Sequence, residues 1–197
     1  MWQKVSGKAA IQRIAIFASG KGSNADTIAA YFKNHPSIKI SLIVSNKPDA
    51  GVLNVAARHG IPTLIIEKEQ FLRGDAYIQE FKELQIDWIV LAGFLWKVPL
   101  ALIQAYPQHI INIHPALLPK FGGRGMYGHF VHEAVIAAGE TESGITIHYV
   151  DEQYDHGATI FQAGCEVKKD DTADTLAQRI HALEYEHYPK VMEGLLK

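Results

Sequence analysis

The sequence predicts one α/β domain, with a mostly parallel central sheet, helices on both faces and an antiparallel pair of strands at one edge. Three observations predict it. Strand-like and helix-like segments alternate along the chain. The early strands are continuous apolar runs, as in a sheet covered on both faces. Two strand-like runs near the end are joined by a short connection with no helix between them, which suits antiparallel pairing. At 197 residues the chain can build one well-cored domain but not two substantial ones.

Taken in order, residues 14–18 read as the first strand, and Ser19-Gly20-Lys21-Gly22-Ser23-Asn24 as a turn into a helix that reaches about Phe32. Residues 38–44 form a second strand, 52–59 a short helix ended by Gly60, and 63–66 a third strand. Phe71, Ile78, Phe81 and Leu84 lie near helical spacing and predict one amphipathic helix over 71–84. Strands at 88–92 and 110–113 enclose a helix over roughly 100–106. A Gly-rich segment at 121–128 precedes a helix near 131–138. Strands at 144–150 and 158–167 follow, with an irregularity expected at Gly164, and a helix from Thr172 to about Leu196 ends the pattern. Residues 1–12 are polar, lack the apolar centre of a secretory signal and read as a flexible lead-in to a domain over 13–197.

Composition narrows the function. A formal net charge of −2 leaves no electrostatic footprint for nucleic acid or an anionic membrane. No apolar run approaches a membrane span. Cys165 is the only cysteine, which excludes an intramolecular disulfide and suits a reducing cytoplasm.

The most informative stretch is Ile110-Ile111-Asn112-Ile113-His114-Pro115. Alternate side chains of a strand share a face, so Asn112 and His114 project together near the strand's carboxyl end, where Pro115 stops the ladder. Open α/β sheets bind ligands at that rim. An amide N–H and an imidazolium N–H at this spacing can both donate to one oxygen as it becomes an oxyanion, and His114 can also transfer a proton. Asp151, Glu152 and Asp155 are the candidate carboxylates to orient the ring and raise its pKa.

Gly20-Lys21-Gly22-Ser23-Asn24-Ala25 fits G-x-G-x-x-A between a strand and a helix, a backbone suited to a phosphate at the helix start. Ser45-Asn46-Lys47 stands where a dinucleotide site wants an acid, so a single phosphate is expected and a nicotinamide cofactor is not. His129 and His132 have no third partner at metal-ligand spacing and read as surface histidines, and Cys165 lacks the pattern of a nucleophilic thiol.

Six blocks occur in order: Ala18-Ser19-Gly20-Lys21-Gly22-Ser23-Asn24, Ser45-Asn46-Lys47, Leu91-Ala92-Gly93-Phe94, Asn112-Ile113-His114-Pro115-Ala116-Leu117-Leu118-Pro119, Gly144-Ile145-Thr146-Ile147-His148 and Asp155-His156-Gly157. Over about residues 13–196 the series resembles the folate-dependent formyltransferases, and within them the phosphoribosylglycinamide formyltransferases of purine synthesis. The resemblance implies a Rossmann-like formyltransferase fold. It also implies transfer of the formyl group of 10-formyltetrahydrofolate, as co-substrate, to the amine of glycinamide ribonucleotide. The transfer would be by direct attack and without a metal.

On the matching positions, Asn112, His114 and Asp155 would be catalytic, with Asp155 keeping His114 protonated. Gly22, Ser23 and Asn24 would hold the phosphate, and Glu184 with His181 one turn before it would meet the ribonucleotide. Leu95, Trp96, Lys97 and Val98, together with Asn112, Gln153 and Tyr154, would form the folate side. Trp96 stands where such enzymes often carry Arg, Gly74 or Arg73 stands near another expected Arg, and residues 121–130 form a longer, Gly-rich connection expected to act as a flap. The chain would act on small molecules as a monomer or homodimer. The rival readings are a formyltetrahydrofolate hydrolase, a sugar-nucleotide N-formyltransferase and a non-catalytic folate- or nucleotide-binding module.

Overall fold

The computed structural model describes residues 11–196; residues 1–10, most of the expected lead-in, lie outside the described residues. In chain order the elements are β1 (Gln12–Phe17), α1 (Ser23–Tyr31), β2 (Ile38–Ser45), α2 (Val52–His59), β3 (Thr63–Ile65), α3 (Lys68–Arg73) and α4 (Ile78–Glu83). β4 (Trp88–Leu91), α5 (Leu100–Ala105), β5 (Ile110–His114), α6 (His129–Ala137), β6 (Glu142–Tyr149), β7 (Thr159–Glu166) and α7 (Ala173–Leu195) follow. Gln12 pairs with Ile38 at the start of β1.

Among the described residues the strands form one sheet in the order β3-β2-β1-β4-β5-β6-β7. Every pair up to β5 is parallel, and β6 and β7 run antiparallel. The period of two in the strands sorts their side chains into two cores. Ile14, Ile16, Trp88, Val90, Ile111 and Ile113 pack on one face against α1, α2, α6 and α7. Ala15, Phe17, Ile89, Leu91 and Ile110 pack on the other against Phe71, Phe81, Leu102 and Tyr106 of the α3–α5 region. Asn112 and His114 continue the Ile110 face past the end of that core. The chain runs from β1 outward to β3 and then returns to β4 on the other side, so the order reverses between β1 and β4. At such a switch point the carboxyl ends of neighbouring strands diverge and leave a crevice.

Two expectations are corrected. The helix expected over 71–84 is two short helices, α3 and α4, because Gly74 adopts φ 92 and closes α3 with its N–H on the Phe71 carbonyl. Phe71 and Phe81 still bury in one core, whereas Leu84 is exposed. The irregularity between β6 and β7 is not at Gly164, which pairs regularly with Gly144. It falls where Ile147 faces Phe161 and His148 faces Thr159, leaving Ile160 as the extra residue next to the connection that carries Asp155.

Candidate active site

Three strand ends supply the rim of a cavity of about 870 Å³. The 19–24 turn leaves β1, residues 92–98 leave β4, and residues 115 onward leave β5. The first two are tied together, with Ser19 N–H donating to the Gly93 carbonyl (3.0 Å) and Leu95 N–H donating to the Ser19 hydroxyl (2.9 Å).

The glycine turn is built for a close approach. Gly22, at φ 82, precedes α1, and a Cβ there would stand 2.7 Å from the backbone and side chain of Val52. Ser23 and Asn24, the first residues of α1, line the cavity, which sets the positive end of the helix beside it. Asn24 donates from Nδ2 to Glu184 Oε2 at 2.9 Å, joining the start of α1 to α7. Burial pushes the Glu184 carboxyl up to about 7, against the pull of the Asn24 hydrogen bond. Lys21, Gly22, Ser23, Asn24, His181 and Glu184 all line the cavity.

At the β5 end the register sets His148 opposite Asn112 and Thr146 opposite His114. His148 donates from Nδ1 to the Tyr149 carbonyl (2.8 Å), so its Nε2 accepts from Asn112 Nδ2 (3.1 Å). That bond fixes the amide and leaves its second N–H unspent. His114, buried, donates from Nε2 to the Phe121 carbonyl (2.8 Å) and sets Nδ1 3.5 Å from Asp155 Oδ1. Asp155 Oδ1 is also 3.7 Å from His148 Nε2, and its Oδ2 accepts from Gly123 N–H at 2.9 Å. Asp155 adopts φ 54 in the β6–β7 connection, a left-handed position that Asp tolerates better than most residues. Of the three candidate acids it is the one beside His114. Asp151 instead caps Gln153 N–H and pairs with His156, and Glu152 is exposed.

The electrostatics correct one expectation. Burial draws the His114 pKa below the ordinary histidine value, and the opposing pull of Asp155 and the Phe121 carbonyl does not overcome it. Asp155 therefore does not keep the resting ring charged at neutral pH. Burial pushes Asp155 itself upward, but the charged rings of His148 and His114, once protonated in acid, and the Gly123 N–H together hold it below the usual carboxylate range.

The remaining expected residues take distinct places. Leu95, Trp96, Lys97 and Val98 all line the cavity. Leu95 and Lys97 are exposed, Trp96 packs on Phe71 and Phe94, and Val98 is buried in the α3–α5 core. Gln153 and Tyr154 stand at the exposed rim. His132 is not on the surface. It is buried on the face of α6 that carries Val131 and Val135, and it lines the cavity. Burial, with the nearby His181, His129 and His114, holds its pKa down to about 4.

Sequence reasoning passed over His148 as a site residue and assigned no role to Lys47 or Arg124, which also line the cavity. For His148 the signal was present: Ile145-Thr146-Ile147-His148 alternates as Ile111-Asn112-Ile113-His114 does. The antiparallel register that joins the two runs was not visible in the chain.

Comparison with known proteins adds a separate line. A family model described as formyl transferase matches residues 12–192. The chain is 37% identical over 191 residues to phosphoribosylglycinamide formyltransferase of Bacillus subtilis, covering 94% of this chain and 95% of that one. It is 39% identical over 189 residues to the chloroplastic phosphoribosylglycinamide formyltransferase of Vigna unguiculata, covering 93% of this chain and 61% of that protein. The chain thus spans 61% and 65% of the length of two plant relatives that it matches. The crystal structure of phosphoribosylglycinamide formyltransferase from Bacillus halodurans superposes with a TM-score of 0.85 at 38% identity, covering 94% of this chain and 96% of that one.

Proposed function

The chain belongs to the formyl transferase family, and from that premise we propose that it transfers the formyl group of 10-formyltetrahydrofolate to the amine of glycinamide ribonucleotide. One observation carries this reading: the helix-start turn at Gly22 and the Asn112–His114–Asp155 cluster open into the same cavity, so one substrate can lie across both. Its volume of about 870 Å³ is at the upper end of small-molecule sites.

The ribonucleotide phosphate sits at the start of α1, on the amides of Ser23 and Asn24, with Glu184 and His181 beside the ribose. The folate occupies the side made by Leu95, Trp96, Lys97 and Val98, under Gln153 and Tyr154. Holding both brings amine and formyl carbon to reacting distance.

The amine nitrogen attacks the formyl carbon, and the carbonyl electron pair moves to oxygen. The unspent N–H of Asn112 meets that oxyanion. His114, neutral at rest with its Nε2 proton committed to the Phe121 carbonyl, takes the amine's proton at Nδ1, directly or through water. The imidazolium so formed faces the ionised Asp155. As the bond from carbon to the folate nitrogen breaks, the carbonyl re-forms and the proton passes to that nitrogen. His148 keeps the Asn112 amide turned the right way throughout.

The test is absorbance-monitored turnover of 10-formyltetrahydrofolate by the purified protein with and without glycinamide ribonucleotide. Turnover that needs the amine is expected. Equal turnover in its absence means water is the acceptor and overturns the proposal.

A further inference from the structure

β5, β6 and β7 carry a transverse row of polar side chains, because the register pairs His114 with Thr146 and Thr146 with Gln162. Residues opposed on neighbouring strands share a face. Thr146 is fully buried and its hydroxyl is saturated. It donates to the Ala116 carbonyl (2.7 Å) and accepts from Leu118 N–H (3.0 Å) and Gln162 Nε2 (2.9 Å). The same Gln162 nitrogen donates to the Leu118 carbonyl at 3.0 Å. A hydroxyl offers one donor and two acceptor positions and an amide nitrogen offers two donors, so neither group has capacity to spare.

Leu118 is thereby held at both its N–H and its carbonyl. Its side chain presses on Gly122, where a Cβ would come within 2.5 Å of Leu118 Cδ2 and 3.3 Å of Asp155 Cβ. The residues on either side of Gly122 carry the two backbone groups that matter to the reaction. Phe121 presents its carbonyl to His114 Nε2 (2.8 Å), and Gly123 presents its N–H to Asp155 Oδ2 (2.9 Å). A shift of Leu118 therefore reaches both members of the proton-transfer pair.

We propose that Gln162, an exposed residue of β7 that does not line the cavity, is a positioning residue that fixes Leu118 and, through it, the orientation of His114 and Asp155. The inference rests on the formyl-transfer reading for its effect on rate, but its effect on His114 stands apart from any reaction.

Two variants test it. Gln162→Leu removes the amide, and Gln162→Met keeps the length of the side chain without either donor and without adding a charge. Each should lower kcat about fivefold, the net worth of roughly one hydrogen bond, with KM for both substrates unchanged. His114 is faced by Asp155 from the β6–β7 connection, His148 from β6 and His132 from α6, all retained in both variants. Weakening the Phe121 carbonyl bond, which favours the charged ring, should therefore move the His114 titration, followed by proton NMR of the imidazole, to lower pH. An unmoved titration in both variants overturns the proposal, whether or not kcat falls. A shifted titration in a protein whose wild type transfers no formyl group upholds the clamp and defeats the reaction reading instead.

Discussion

At His114, burial and a carboxylate pull in opposite directions, and burial wins. A base must be neutral to accept a proton, so activity should fall as pH drops through the His114 pKa, with an acid limb below the ordinary histidine value. Asp155→Asn removes a charge that raises that pKa, so the limb should move to lower pH. The lost partner for the imidazolium should cost on the order of a hundredfold in kcat. A pH–rate profile checks both, and an unshifted limb would count against the Asp155 role. Asn112 and His114 were legible in the sequence because period-two spacing ended by Pro115 pins both side chains to one rim. His148 has the same spacing but no proline beside it, and only the antiparallel register brings it to Asn112. His132 was misread because its burial depends on α7 lying over α6, a contact that no local pattern encodes.

The secondary elements were legible where caps and periodicity agree. α2 ends at Gly60 as expected, and Thr172 caps α7 through a reciprocal pair of bonds with Thr175. Between Phe71 and Leu84 the apolar spacing outweighed Gly74 in the reading, although glycine is a poor helix interior residue and here turns the chain. The 121–128 connection lay beyond local rules altogether. It is built from positive-φ positions at Phe121, Gly123, Gly125 and Gly128, and its Tyr127 packs edge to face on Phe130 of α6, both exposed. Residues 123–130 line the cavity, so occupants there would rest against this segment. Trypsin should cleave after the exposed Arg124 several-fold more slowly with both substrates present than without them. Equal digestion, followed by mass spectrometry of the fragments, would argue against a ligand-ordered flap.

Across the whole molecule, the fold class followed from alternation alone, whereas the bond between Asn24 and Glu184, which ties the first helix to the last, did not. Burial of the Glu184 carboxyl at that tie, against the pull of the Asn24 bond, links stability to pH. The unfolded chain releases the Glu184 proton near 4.5, while the folded chain holds it to about 7, so the folded state binds more protons in that window. Stability therefore declines as pH rises through it, by on the order of 3 kcal/mol. Glu184→Gln should abolish this contribution, so its advantage over the wild type should grow between those pH values and level off above them. Urea unfolding at several pH values measures it, and parallel curves for the two proteins would contradict the shift.

The partners of β5 have a further consequence. Phe121, Thr146, His148, Asp155 and Gln162 all follow His114 in the chain. During synthesis on the ribosome, the imidazole and carboxamide emerge well before the β6 and β7 groups that hold them. A nascent chain stopped short of β6 would lack His148, Asp155, Thr146 and Gln162, leaving the Asn112 amide without its imidazole partner and His114 without its carboxylate.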